Sequence, residues 1–151
     1  MDLKNLYIEP SEKTPHIDLN SFTGELIFSG KSIPENTALV YEKALIWANE
    51  YINNPRPVTN LRLNLEYFNT SSAIWLAKIV RTLSSIKNNE YTLIIHIYFG
   101  IEDFDTMDPD DLKDELHPII SMIGNPTVSL GIKIYGTGDN GEVIKESMVL
   151  L

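Results

Sequence analysis

Residues 58–68 read VTNLRLNLEYF. Leu61, Leu63 and Leu65 fall on one side of an extended chain, and Arg62, Asn64 and Glu66 on the other. That period of two is the mark of a strand. A second run, Tyr91 to Phe99, is rich in Ile, Tyr and Leu and reads as a central strand. Between them Ala73, Leu76, Val80 and Leu83 recur at helical spacing, flanked by Ala77, Ile79 and Ile86, until Lys87-Asn88-Asn89-Glu90 ends the pattern. Strand, helix and strand in that order make a βαβ unit with a right-handed crossover. A helix must therefore lie on a sheet, which excludes all-helical and sandwich folds.

The flanking segments extend the same scheme. Leu6 and Ile8 share one face of a short strand. Ile17 and Leu19, then Leu26-Ile27-Phe28, bracket the turn Phe22-Thr23-Gly24-Glu25 and form a hairpin. Pro34 at a first helical position, with Glu35 near the positive end of the dipole, predicts a helix running to Ile52, with Tyr41, Leu45, Ala48 and Ile52 as its stripe. Asn53, Asn54, Pro55 and Pro57 stop it. Asp108-Pro109 predicts a third helix to about Ile123, with Pro118 as a kink or an early stop. Val128 to Tyr135 reads as a strand, Gly136 to Gly141 as a turn, and Glu142 to Leu151 as a further strand. The expected architecture is one α/β (α+β) domain over residues 1–151. Its order is βββ-α-β-α-β-α-β(β): a mixed sheet of five to seven strands with about three helices packed on it.

Composition narrows the function. The chain has 151 residues, 12 Lys and Arg against 21 Asp and Glu, a net charge of -9 and no cysteine. Disulfides, thiolate metal sites and cysteine nucleophiles are excluded. Nucleic acid and anionic membrane both call for a basic patch, so neither is an expected partner. No run reaches the roughly 18 apolar residues of a membrane span, and the N-terminus has no apolar signal core. The expected location is the cytoplasm.

Few residues offer chemistry. His16 and His117 read as surface residues, and His96 as a structural imidazole in mid-strand. There is no G-x-S-x-G elbow, so a nucleophilic serine lacks its setting. Eight carboxylates lie between Glu102 and Glu115. Asp103-Phe104-Asp105 begins a calcium-loop rhythm, which fails for want of a glycine at the sixth place and because Pro109 intrudes. A solvated loop and helix start, a docking face for a basic partner, and a metal-dependent enzyme are the readings of that segment. No metal ligand set and no cofactor are expected, and no catalytic residue is assigned. Trp47, Tyr51 and Trp75 lie off the best stripes of their helices, as core padding or as a partner-binding patch.

The stretch Tyr67 to Leu76, YFNTSSAIWL, places three hydroxyls where a strand hands over to a helix. Asn69 suits the capping position, which leaves Thr70, Ser71 and Ser72 in the first turn. Such residues are favoured there for capping alone. The same geometry also suits phosphate, because unpaired amides and the helix dipole favour a dianion at that end.

Three stretches resemble the SiaC family of bacterial regulators: TPHIDLNSFTGELIFSG (14–30), GKSIPENTALVYEKALIWANEYI (30–52) and LEYFNTSS (65–72). The likeness spans about residues 3–105. From about residue 117 the chain diverges, with an added strand-like segment. The resemblance implies a regulator that is not an enzyme and is switched by reversible phosphorylation. A Ser/Thr kinase would add the phosphate and a PP2C-like phosphatase remove it. The unphosphorylated form would activate a diguanylate cyclase, raising cyclic di-GMP and promoting aggregation or biofilm. By position it implies Thr70 as the acceptor, with Ser71 and Ser72 in reserve. Asn69 would support the site, and Tyr67, Phe68, Trp75, Pro34, Glu35 and Asn36 would be partner-facing. A constitutive interaction module is the alternative.

Overall fold

The computed structural model describes residues 3–149. Seven strands form a single sheet whose spatial order is the order of the chain. They are β1 (Leu6–Ile8), β2 (His16–Leu19), β3 (Glu25–Ser32), β4 (Val58–Phe68), β5 (Thr92–Gly100), β6 (Ser129–Thr137) and β7 (Val143–Val149). β1 to β3 form an antiparallel meander, β3 to β6 run parallel, and β7 returns antiparallel to β6. Leu150 and Leu151 of the expected last strand lie outside the described residues.

The parallel steps carry helices α1 (Thr37–Tyr51), α2 (Thr70–Ser84), the short α3 (Ile101–Thr106) and α4 (Pro109–Ile120). Successive right-handed crossovers that always step to the next strand put their helices on one side of the sheet. α2 is the middle helix, packed against α1 and α4. Ala73, Leu76, Ala77, Ile79, Val80 and Leu83 turn inward from it. Leu76, Ile79, Val80 and Leu83 join one core with Leu61 and Leu63 of β4, Leu93 and Ile95 of β5, and Ile132 and Ile134 of β6. Each buried Leu, Ile or Val among them contributes roughly 1.5–3 kcal/mol. The opposite face of the sheet holds the polar alternates, Arg62, Asn64 and Glu66 among them.

The hairpin turn needs its glycine. Gly24 sits at φ +77°, and a Cβ there would stand 2.5 Å from the Val58 carbonyl oxygen. The close approach is used, because Asn60 N–H donates to the Gly24 carbonyl at 2.8 Å and joins the turn to β4.

Several boundaries differ from the expectation. α1 begins at Thr37, capped by Asn36, whose side chain accepts from Leu39 N–H. Pro34 and Glu35 thus precede the helix, because the Asn36 side chain supplies the cap and sets the first helical position at Thr37. The buried stripe of α1 is Tyr41, Ala44, Trp47, Ala48 and Tyr51, rather than Tyr41, Leu45, Ala48 and Ile52. Trp47 and Tyr51 are core residues, 6 % and 2 % exposed. Trp47 donates from Nε1 to the Lys4 carbonyl at 2.8 Å, and the Tyr51 hydroxyl bonds Thr59 at 2.8 Å. A buried aromatic with its polar atom satisfied is not a docking patch.

α2 stops at Ser84, ahead of Ile86, and α4 stops at Ile120, two residues past Pro118 and short of Ile123. The acidic stretch from Ile101 is helical because Ile101 and Phe104 share a face that packs on Gly136 of β6. His16 is half-buried inside β2, not a surface residue before it, with Nδ1 3.3 Å from Ser29 Oγ and Tyr7 edge-on at 5.1 Å.

Candidate functional site

Where β4 ends, the chain turns into α2 through Asn69, whose backbone is extended (φ -84°, ψ 173°). Four contacts fix this residue. Its Oδ1 accepts from Ser72 N–H at 2.9 Å, and its carbonyl accepts from Ala73 N–H at 3.1 Å. Its own N–H donates to the Ser32 carbonyl at 3.0 Å, and Nδ2 donates to the Pro34 carbonyl at 3.5 Å. The mouth of α2 is therefore held by the end of β3 and the segment leading into α1. The cap takes the Ser72 amide; helix geometry leaves those of Thr70 and Ser71 for an outside acceptor.

The three hydroxyls separate sharply. Thr70 and Ser71 are exposed, and Ser72 is 0 % exposed. Ser72 Oγ donates to the Ser32 carbonyl at 3.0 Å and accepts from Ser32 Oγ at 2.8 Å. Ser32 Oγ lies 2.5 Å from the Tyr41 hydroxyl. With the Ser32 proton spent on Ser72, the Tyr41 hydroxyl donates to Ser32. Burial pushes the Tyr41 phenol above its ordinary value, so it stays a donor. Ser72 thus belongs to the core, and no enzyme reaches it in this conformation. Sequence offered no sign of this chain, because its members lie 9 and 40 residues apart.

The residues expected to face a partner divide as well. Tyr67 is 63 % exposed and Phe68 39 %. Between Leu65 and Tyr67 the β3–β4 register slips by one residue, a bulge of the kind that re-aims side chains at the end of a strand. Glu35 projects into solvent, where its carboxylate lies 3.5 Å from Lys13 Nζ. Asn36 is exposed but committed to its cap. Trp75 is half-buried beneath Lys78, whose Nζ stands 4.6 Å from the ring centroid. Pro34 is buried, and its carbonyl accepts from Asn69 Nδ2.

A second polar cluster lies on the open face of the sheet. Arg62 grips Glu25 through Nε at 2.8 Å and the Tyr98 hydroxyl through Nη1 at 2.7 Å. His96 sits beside it, its Nδ1 2.6 Å from the Tyr135 hydroxyl and its Nε2 2.8 Å from Asn60 Oδ1. Asn60 Oδ1 accepts only, so Nε2 carries the proton and Nδ1 accepts from Tyr135. Burial first, then the charges of Arg62 and Lys133, pull the imidazole down to about 4, with Glu25 opposing. A neutral ring with both nitrogens bonded is a structural part of the sheet. His117 is exposed on α4.

Among the described residues no three of His, Asp or Glu converge as metal ligands do. Within the acidic segment, Asp108 and Asp111 form a capping box at the start of α4, and Asp105 pairs with Lys145 of β7 at 2.8 Å.

The model of the SiaC family regulatory phosphoprotein matches residues 8–122. No curated protein matches the sequence. Among solved structures, apo-SiaC from Pseudomonas aeruginosa is similar over 84 % of this chain and 98 % of its own, with 20 % identity and a TM-score of 0.64. A crystal structure of diguanylate cyclase SiaD in complex with its activator SiaC, also from Pseudomonas aeruginosa, gives the same coverage and identity with a TM-score of 0.65. At that identity the likeness establishes the fold. β6 and β7 lie beyond the residues that the family model matches. Among the described residues, no helix is long and apolar enough to cross a membrane.

Proposed function

The chain belongs to the SiaC family of regulatory phosphoproteins, and from that premise we propose that it is a switch without catalysis of its own, set by phosphate on Thr70. A Ser/Thr kinase adds the phosphate and a PP2C-like phosphatase removes it. The bare form docks on a diguanylate cyclase, as SiaC does on SiaD in the solved complex, and governs cyclic di-GMP output. One observation carries the reading: Thr70 is an exposed hydroxyl on the first residue of a helix whose cap is fixed by four hydrogen bonds. The phosphate adds roughly -1.5 to -2 charges where two amides and the helix dipole receive it. It needs no refolding to take effect, since Thr70 already faces solvent. Ser71 is the second exposed hydroxyl and Ser72 is set aside.

The test pairs intact-mass analysis with cyclase assays. Incubated with a cognate Ser/Thr kinase and ATP, the wild-type chain should gain one phosphate and Thr70→Ala none. The unphosphorylated chain should raise cyclase turnover and the phosphorylated chain should not. Phosphate on the alanine variant moves the site to Ser71. Equal activation by both forms removes the switch.

A further inference from the structure

The outer side of α2 differs from the rest of this acidic surface. α1, α3 and α4 each carry carboxylates, whereas Thr70–Ser84 has Lys78 and Arg81 and no Asp or Glu. Ser71, Ile74, Lys78, Arg81 and Ser85 follow one another at intervals of three and four residues. They therefore line one face of the helix, and all five are exposed. Among the described residues neither Lys78 nor Arg81 lies within reach of a carboxylate. The apolar share of the stripe is Ile74, 51 % exposed, bordered by Trp75. Farther along, Leu45 of α1 and Met122 flank Lys78 and Arg81 in a shallow groove.

Two cations without a carboxylate partner beside the exposed Ile74, on a chain of net charge -9, suit one kind of occupant. It presents carboxylates opposite Lys78 and Arg81, and an apolar side chain over Ile74 and Trp75, at the spacing of one helix face. We infer that the outer face of α2 docks an acidic amphipathic helix of a protein partner. This docking face does not depend on the phosphorylation reading above.

The full chain, labelled with nitrogen-15, is titrated with two synthetic helical peptides, one bearing Leu and Glu at that spacing and one with Lys in place of Glu. The Glu peptide should shift the amide signals of Ile74, Lys78 and Arg81, and bind more weakly as salt rises; the Lys peptide should not bind there. Lys78→Glu with Arg81→Glu should reverse the preference, and Lys78→Gln with Arg81→Gln should abolish it, at unchanged melting temperature. Equal binding of both peptides, shifts confined to another face, or an unaffected reversal variant would overturn the docking face. The same reversal variant is then titrated with the cyclase, where about tenfold weaker binding is expected. A cyclase that binds wild type and reversal variant alike also overturns the face and leaves the proposed partner standing. A cyclase that ignores wild type, while the Glu peptide binds as stated, removes that partner and supports the face.

Discussion

Lowering the pH from about 7 to about 5 offers His96 a proton that the folded protein has no room to accept. The imidazole titrates near 6.5 when unfolded and is pulled down to about 4 in the sheet. Its Nδ1 lone pair is taken by the Tyr135 hydroxyl, and Nε2–H by Asn60. Arg62 from β4 and Lys133 from β6 face it with positive charge, and Glu25 from β3 is engaged with Arg62. Because the folded value is the lower one, the unfolded chain binds the proton first. The contribution to stability is complete above about pH 6.5 and is lost as pH falls through about 4. The gap corresponds to about 3.4 kcal/mol in full, of which about 2 kcal/mol disappears between about pH 7 and pH 5. Arg62 and Lys133, which supply part of the shift, are themselves partly exposed, so screening lowers the observable part to about 1 kcal/mol. Urea unfolding at the two pH values measures it. His96→Gln lacks the titration and serves as reference for the carboxylates, whose own dependence is common to both proteins. Wild type should lose about 1 kcal/mol more than the variant over that interval. Parallel losses, or an imidazole that titrates near 6.5 by NMR, would refute the tautomer and charge assignment.

The buried hydroxyl chain gives a second expectation. Ser72→Ala leaves the Ser32 hydroxyl without its acceptor and should cost about 1–3 kcal/mol by denaturant midpoint. Combined with Tyr41→Phe it should cost less than the sum of the two, because both cut one chain of bonds. Additive losses would mean that the three hydroxyls act separately. At the hairpin, Gly24→Ala should destabilise by roughly 1–3 kcal/mol from φ alone. The clash with the Val58 carbonyl adds to that, so an alanine variant that melts with wild type would contradict the turn geometry.

The parts of this fold that were legible in the sequence are those where one periodicity acts alone. The alternation of Leu61, Leu63 and Leu65 and the stripe Ala73, Leu76, Val80, Leu83 have single solutions, and Asn69 is a residue that caps helices through its own side chain. α1 was harder because apolar residues surround it. Leu39 and Ile46 are exposed while Trp47 and Tyr51 are buried, so its stripe had more than one phase. Pro34 suggested a helix start that Asn36 supplies, since the two signals compete within three residues. α3 is six residues long with no side-chain cap. Its only trace is the Ile101–Phe104 pair, whose meaning depends on a glycine more than 30 residues later. The site divided the same way. The position of Thr70 followed from local rules, but the burial of Ser72 depends on Ser32 and Tyr41, which only the assembled sheet brings together.

A sheet whose members lie side by side in the order of synthesis has a consequence for how it is made. Each strand leaving the ribosome finds its neighbour already in place, and each intervening helix has only the layer beside it to cover. No segment must be inserted between two that have already joined, which is the slow step in sheets built out of order. The nascent protein can thus lengthen by accretion, with one growing margin at a time as the surface most open to misassociation. β7, whose middle is the polar triplet Lys145-Glu146-Ser147, pairs antiparallel on β6 in its turn.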